Sequence, residues 1–308
     1  MDAPSFEIGL DEAGYGPLLG PLAVGAVRVD GPRGAFKRAL TSRAQAMPKV
    51  ADSKVLYAGK DLAALEVAAL AARTLAGGGV RPKTVAEFLG FRPAGLDDHP
   101  WYGPLDAPLP RAAAPDRVDG AAEALDRALR RQGAALGSAQ ARVFLEGDLN
   151  ARFARTGCKG AAHLEHVGDA FLAAYDGAPD LDGAVDCDRL GGRRDYEPFL
   201  RDLFPFRPIA TLEEAERVSA YVVRPREREV RVRFVVEGEV ASPLVALASC
   251  LAKYAREILM EAFNGYFASK APGLTPTAGY WNDGPRFLDD LERLTGDGAW
   301  RTRLARTR

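Results

Sequence analysis

The sequence predicts an α/β protein, and three observations carry that prediction. Short β-rich runs occur at residues 6–10, 21–29, 183–188 and 221–236; Ala/Leu-rich stretches with helical spacing occur at 60–75, 120–136, 161–175 and 242–267; and acids gather just past the apolar runs. At 308 residues, 47% hydrophobic and 27% charged, the chain has enough apolar material for one large domain or two modest ones, which excludes disorder, collagen and mini-protein scaffolds. Forty-one basic residues against 42 acidic leave a net charge of −1, so no global positive field draws in a polyanion, and a nucleic acid would have to be bound locally. Cys158, Cys187 and Cys250 are widely spaced, which argues against a disulfide framework or a zinc site, and they are expected to be buried or inert in a reducing cytoplasm. The opening residues lack the pattern of a secretory signal and no run of about 18 apolar residues occurs, so neither secretion nor membrane insertion is expected.

Taken in order, residues 6–10 and 21–29 read as an antiparallel pair joined by a Gly/Pro-rich turn. The helix at 60–75 stops at Gly77-Gly78-Gly79. Residues 88–117, dense in Pro, Gly and Asp, read as a partly mobile surface insertion. Helical composition returns at 120–136 and 161–175, with the apolar run Val143-Phe144-Leu145 and a polar bend between them. Residues 183–188 form a short strand ending in acid, 211–216 a short helix, and 221–223 with 230–236 a hairpin whose Arg/Val alternation suits a half-exposed strand. Ser242-Pro243 supplies a cap and a first-turn proline to a long helix over 242–267, with Leu244, Ala248, Leu251, Ala255 and Leu259 on one stripe. The tail adds an amphipathic segment from Pro285 and a solvated basic end, Arg301 to Arg308.

Asp11-Glu12, Glu146/Asp148, Asp186/Asp188 and Glu237/Glu239 each stand at or past a strand end. Such carboxylates are what a Mg²⁺ or Mn²⁺ site needs, because hard cations take oxygen ligands, and two ions about 4 Å apart support in-line attack on a phosphodiester. Exposed strand ends also collect acids without any function, so local sequence has to decide.

Asp11-Glu12-Ala13-Gly14-Tyr15-Gly16-Pro17-Leu18-Leu19-Gly20-Pro21 resembles the opening motif D-E-A-G-R-G-P-x-x-G-P of the type 2 ribonucleases H (ribonuclease HII). Asp52-Ser53-Lys54-Val55-Leu56 is similar to that family's D-S-K-x-L segment, residues 246–260 to its A-A-S-I-x-A-K-x-x-R-D-x-x-M helix, and Gly279-Tyr280 to the G-Y that follows. The resemblance implies a ribonuclease H-like mixed sheet flanked by helices, with insertions near 77–118 and 189–235 inside a catalytic domain of residues 1–270, and a helical C-terminal part over 271–308. It further implies a metal-dependent endoribonuclease, acting on the RNA strand of RNA–DNA hybrids or on ribonucleotides embedded in duplex DNA, with Mg²⁺ or Mn²⁺ in a two-metal site; a monomer in the cytoplasm with no membrane partner is expected alongside.

Carried over residue by residue, Asp11 and Glu12 match the first two acids, and counting back fourteen residues from Lys253 gives Glu239 where the family has aspartate. The third acid falls on Asp188, with Asp148 and Glu146 as the alternatives and Asp186 expected on the other face of the strand. Gly14, Tyr15, Gly16, Lys54 and Tyr280 match substrate-contacting positions. Tyr15 replaces an arginine and cannot supply a permanent cation, although it can stack and hydrogen-bond. Arg193 and Arg194, which have no counterpart in the motif, could clamp phosphate in its place. His163 and His166 are expected to be structural or surface residues. Tyr15 and Glu239 keep a second reading open, a relative that binds nucleic acid without cutting, and a third is a nuclease of the same fold acting on DNA junctions.

Overall fold

The computed structural model describes residues 4–41, 47–58, 61–225 and 227–307. In chain order these form β1 (Pro4–Ala13), β2 (Leu22–Pro32), α1 (Ala35–Leu40), α2 (Ser53–Leu56), α3 (Ala63–Ala76), α4 (Val85–Leu89), α5 (Pro115–Arg131), β3 (Ala135–Phe144), α6 (Glu146–Thr156), α7 (Lys159–Tyr175), β4 (Gly183–Asp188), α8 (Glu197–Leu203), β5 (Ile209–Glu214), β6 (Val218–Val223), β7 (Val230–Val235), α9 (Gly238–Ala241), α10 (Pro243–Lys270), α11 (Gly284–Thr295) and α12 (Ala299–Leu304). Lys60, where the first long helix was expected to begin, and Arg308 lie outside the described residues.

The strands make one seven-stranded mixed sheet in the order β3-β2-β1-β4-β7-β6-β5. β1, β4 and β7 run parallel to one another, while β2 and β3 on one side and β6 and β5 on the other are antiparallel to their neighbours. Strand alternation sends Phe6, Ile8 and Leu10 of β1 and Val185 and Cys187 of β4 into a core shared with α7 and α8. The opposite face carries α10, with α3 and α5 packed around it. α10 lies almost on the sheet because β1 and β2 offer glycines beneath it. A Cβ at Gly9 would stand 2.3 Å from the Leu244 carbonyl carbon, and one at Gly25 would stand 2.0 Å from the Ala248 oxygen. The mixed sheet, its flanking helices and the helical C-terminal part are those the sequence predicted.

Several local expectations fail for identifiable reasons. Residues 211–216 do not form a helix: residues 209–214 are β5, the outer strand of the sheet, because β6 offers an unpaired edge that outweighs the helical composition of Thr211-Leu212-Glu213-Glu214. The helix expected over 120–136 is α5, which starts at Pro115 and ends at Arg131, and Gly133 at φ 67° turns the chain into β3. The polar bend after it is a helix, α6. The stretch 88–117 is no loose surface insertion. Trp101 and Tyr102 are buried in the α10 core, and the main-chain N–H groups of Arg111, Ala112 and Ala113 all donate to the buried Glu66 carboxylate. The end of the tail is not simply solvated either, since Trp300, Leu304 and Arg306 are buried.

Candidate active site

Because β1, β4 and β7 are parallel, their carboxyl ends meet at one rim of the sheet, and the acids that follow each run meet with them. Leu10 pairs with Cys187, so Asp11 and Asp188 come next in adjacent strands; Asp188 in turn pairs with Val235, just before α9 brings Glu239. Asp11 is 8% exposed and accepts a bond from the Glu12 N–H at 2.8 Å. Asp188 accepts from the Gly238 N–H at 2.8 Å, and the approach is close: a Cβ at Gly238 would sit 3.0 Å from the Asp188 Cα, so a side chain there would have to push its neighbours by a few tenths of an ångström. The structure therefore brings Asp11, Glu12, Asp188 and Glu239 into one electrostatic group.

Burial pushes the Asp11 carboxyl up to about 8, opposed by the Ser249 hydroxyl and reinforced by Asp188 and Glu239. Burial likewise raises Glu12 well above its ordinary range, with Asp11, Asp188 and Glu239 adding to the effect. Asp188 is raised by burial and by Glu239, against the Gly238 amide. The cation Lys54 stands 3.9 Å from Glu239 with its side chain 82% exposed, and is too solvated to neutralise four acids. One oxygen of Glu12, Oε2, is buried with no hydrogen-bond partner. The same motifs tie α2 to α10 beside the rim. Ser53 of α2 and Ser249 of α10 share a 2.9 Å hydroxyl bond, and Ser249 also reaches Asp11.

The chemistry of this donor set, though not its present spacing, suits a divalent cation. It is all carboxylate oxygen, its one ion-pair cation among the described residues is the exposed Lys54, and it includes an orphaned buried oxygen on Glu12. Among the described residues no group of three or more His, Cys, Asp or Glu is placed so that it could hold a metal ion.

The rival third acids have other partners. Glu146 is fully buried and accepts from the Gly20 N–H at 3.1 Å and the Tyr102 hydroxyl at 2.5 Å, bracing the loop that carries Tyr15. Asp148 bonds His166 at 2.9 Å and Arg152, and these partners hold its carboxyl below the usual range against the opposing effect of burial. Asp186 is not on the opposite face from Asp188: residues two apart on a strand share a face, and Asp186 lies one pleat back, where Arg233 binds both its oxygens at 2.8 and 2.9 Å.

Around the acids the loop 14–20 forms a wall. Gly14 has φ 94°, and a Cβ there would meet Arg256 Nε at 2.4 Å. Gly16 is exposed, and a Cβ there would meet nothing within 4 Å, so no contact inside this chain requires glycine at that position. The Tyr15 ring is stacked on His163, centroids 4.0 Å apart, and lies 5.0 Å from Lys159 Nζ, so the His163 side of the ring is already occupied. Burial holds His163 down at about 3, so its ring is neutral beside Glu12, 3.9 Å away, and the two do not form an ion pair. Arg193 and Arg194 line, together with Tyr15, His163 and Gly191, an open cavity of about 440 Å³. Tyr280 is 44% exposed, with the Arg256 guanidinium 5.7 Å from its ring centre. Cys187 and Cys250 are buried, and Cys158, expected with them, is exposed at the start of α7.

Four contributors escaped the sequence reading: Glu146 as a loop brace, His163 beneath Tyr15, Trp281 donating to the Gly16 carbonyl at 3.1 Å, and Arg306. Only Trp281 carried a local signal, since it follows the quoted Gly279-Tyr280 step directly.

No protein-family profile matches the sequence, and no curated protein matches it. Among solved structures the chain is similar to the ribonuclease H2 of Pyrococcus horikoshii OT3, at 13% identity and TM-score 0.45 over 95% of this chain and 89% of that one. It is also similar to the RNase HII of Archaeoglobus fulgidus solved in complex with PCNA, at 17% identity and TM-score 0.43 over 98% and 94%. A third similarity is to Bst-RNase HIII in complex with Mn²⁺, at 15% identity and TM-score 0.44, where this chain spans 65% of the other. Likeness at this level decides nothing about chemistry, which rests on the residues of the site.

Proposed function

We propose that this protein is a metal-dependent endonuclease that hydrolyses the RNA strand of RNA–DNA hybrids or cuts at ribonucleotides embedded in duplex DNA. The observation that carries the reading is the group Asp11, Glu12, Asp188 and Glu239: four carboxylates at one rim, with the proton affinity of Asp11, Glu12 and Asp188 raised, an orphaned buried oxygen on Glu12 and no buried cation beside them among the described residues. Divalent ions bound there would supply an activated water and charge stabilisation at the reacting phosphate.

The chain's own residues supply the rest. Asp11 and Asp188, fixed by main-chain N–H groups, hold their oxygens toward the rim. Glu12 and Glu239 complete the oxygen set, Glu239 with one more methylene than the family's aspartate. Lys54, Arg193 and Arg194 offer cations to backbone phosphates on either side, which suits binding by a local patch in a chain of net charge −1. Gly16 leaves room for a sugar–phosphate strand to approach the backbone. Tyr280 offers an exposed ring edge to a neighbouring sugar.

A second reading, nucleic-acid binding without cleavage, draws on Tyr15: its ring is engaged by His163 rather than free to replace an arginine. One panel separates the readings. Duplex DNA with a single ribonucleotide, an RNA–DNA hybrid, plain duplex DNA and a four-way DNA junction are incubated with Mg²⁺ or with Mn²⁺. Cleavage of the first two alone, leaving 3′-hydroxyl and 5′-phosphate ends, is the expected result. Binding without any product supports the second reading, and junction cleavage alone overturns the substrate assignment.

A further inference from the structure

Behind the Gly14–Gly20 loop lies a guanidinium that the site described above does not use. Arg306 is 8% exposed, and its Nε donates to the Gly20 carbonyl at 2.7 Å while Nη1 donates to the Gly14 carbonyl at 2.5 Å and the Pro17 carbonyl at 3.4 Å. Its main-chain N–H donates to the Leu18 carbonyl at 2.9 Å. One residue thus gathers four carbonyls of a seven-residue loop. The segment carrying it is itself clamped: Asn150 of α6 donates to the Ala305 carbonyl at 3.0 Å and accepts from the Thr307 N–H at 2.7 Å. From the same side Arg256 donates to the Leu19 carbonyl at 3.3 Å and Glu146 accepts from the Gly20 N–H.

Two buried guanidiniums against the single carboxylate Glu146 is a costly arrangement for a structural brace alone. It does, however, fix each peptide plane it touches. A trans peptide points its N–H opposite to its C=O, so a Gly14 carbonyl held inward by Arg306 turns the Gly14–Tyr15 plane to one orientation on the outer side, next to Asp11 and Glu12 in sequence.

We infer that Arg306 is a positioning residue for the acidic site, locking the Gly14–Gly20 loop in the orientation from which it presents its backbone to a bound nucleic-acid strand. Its effect on cleavage rests on the nuclease reading; its effect on loop order does not.

The chain has three tryptophans, and they allow the two to be read separately. Trp101 and Trp300 are buried, whereas Trp281 is 39% exposed and bonded to Gly16 in the loop. In Arg306→Ala, acrylamide quenching of Trp281 should rise while that of Trp101 and Trp300 stays low, with Trp281→Phe in the same background identifying the signal. On a single-ribonucleotide duplex, kcat should fall about 10²-fold with KM changed only a few-fold, because a misplaced loop misorients the phosphate more than it weakens contact. Added guanidinium should restore part of the kcat of Arg306→Ala. Arg306→Lys, which keeps the charge but cannot span three carbonyls, should fall between the two. Unchanged Trp281 quenching together with unchanged kcat overturns the inference. Should Arg306→Ala not fold, Arg306→Lys and Asn150→Ala carry the same readouts, and the inference falls if both match the parent. If the parent protein cuts no substrate, the nuclease reading fails, and Trp281 quenching alone still decides whether Arg306 orders the loop.

Discussion

Glu66 is fully buried in α3, and its two oxygens accept the N–H groups of Arg111, Ala112 and Ala113 at 2.7 Å and the Tyr254 hydroxyl at 2.6 Å. Glu12, at the carboxyl end of β1, keeps one buried oxygen with no partner and has Asp11, Asp188 and Glu239 for neighbours. A carboxylate that serves the fold brings its donors with it, because an unsatisfied buried charge costs several kcal/mol. An orphaned oxygen alone does not separate the two kinds, since Glu146 Oε2, on a loop brace, is one as well; it is the crowding of Glu12 by three other acids that costs the fold energy and has to be explained by something that binds there.

The largest effect that comparison predicts is on cleavage. Asp11→Asn and Glu12→Gln keep shape and remove charge, so turnover of a single-ribonucleotide duplex should fall on the order of 10³-fold or more, with binding retained. Measured turnover within tenfold of the parent for Asp11→Asn would remove the metal site from the account.

The next effect is on stability, and it has opposite signs at the two glutamates. Glu66→Ala strands the buried Ala113 N–H and Tyr254 hydroxyl and the part-buried Arg111 and Ala112 N–H groups, and should cost about 3 kcal/mol in urea denaturation. Glu12→Gln relieves repulsion and should leave stability equal or higher. Equal losses at both sites would show that Glu12 is an ordinary structural acid.

The pH dependence sharpens the same contrast. Asp11 is pushed up to about 8 in the folded protein, by burial first, and Glu12 is raised as well, whereas unfolded carboxyls titrate near 4. The folded state therefore binds more protons between those values, so this contribution to stability is full below about pH 4 and is lost as pH rises through about 8. Without metal, thermal stability should decline from pH 6 to 9, and Asp11→Asn should flatten the decline. Mg²⁺ or Mn²⁺ should raise the melting temperature more at pH 8.5 than at pH 6, because at the lower pH protons compete for the same oxygens. A metal effect that is equal at both pH values would contradict the assignment.

Much of this was legible in the sequence, and the reason is local. Asp11, Glu12 and Asp188 sit at the ends of short apolar runs, a pattern that survives without knowing the partners, and Ser242-Pro243 marks the start of α10 as directly as any helix can be marked. What could not be read depends on contacts between distant segments. Residues 211–216 have helical composition and become β5 only because β6 presents an edge. Trp101 and Tyr102 look like loop residues until α10 gives them a core. Arg306 sits among five arginines within the basic stretch 293–308, and nothing in that stretch distinguishes the one that folds back under Gly14. What sets Asp148 and Glu146 apart from Asp188 is likewise a matter of distant partners: His166 and Arg152 for one, Gly20 and Tyr102 for the other.

The smallest effect expected on the fold belongs to Gly16, where the comparison between residues kept for structure and residues kept for a ligand is cleanest. At Gly9, Gly25 and Gly14 an added methyl would collide with α10 or with Arg256, so alanine there should destabilise measurably. At Gly16 it would meet nothing, and replacing glycine where the conformation permits stabilises by about 0.4–1 kcal/mol through the unfolded chain. Gly16→Ala should therefore melt at or slightly above the parent temperature. If a sugar–phosphate strand approaches the loop there, the same methyl should weaken binding of a ribonucleotide-containing duplex severalfold, in fluorescence anisotropy with the Asp11→Asn protein as background. Unchanged binding would mean that the strand does not pass over Gly16, and the approach would have to be sought along the cavity lined by Arg193 and Arg194 instead.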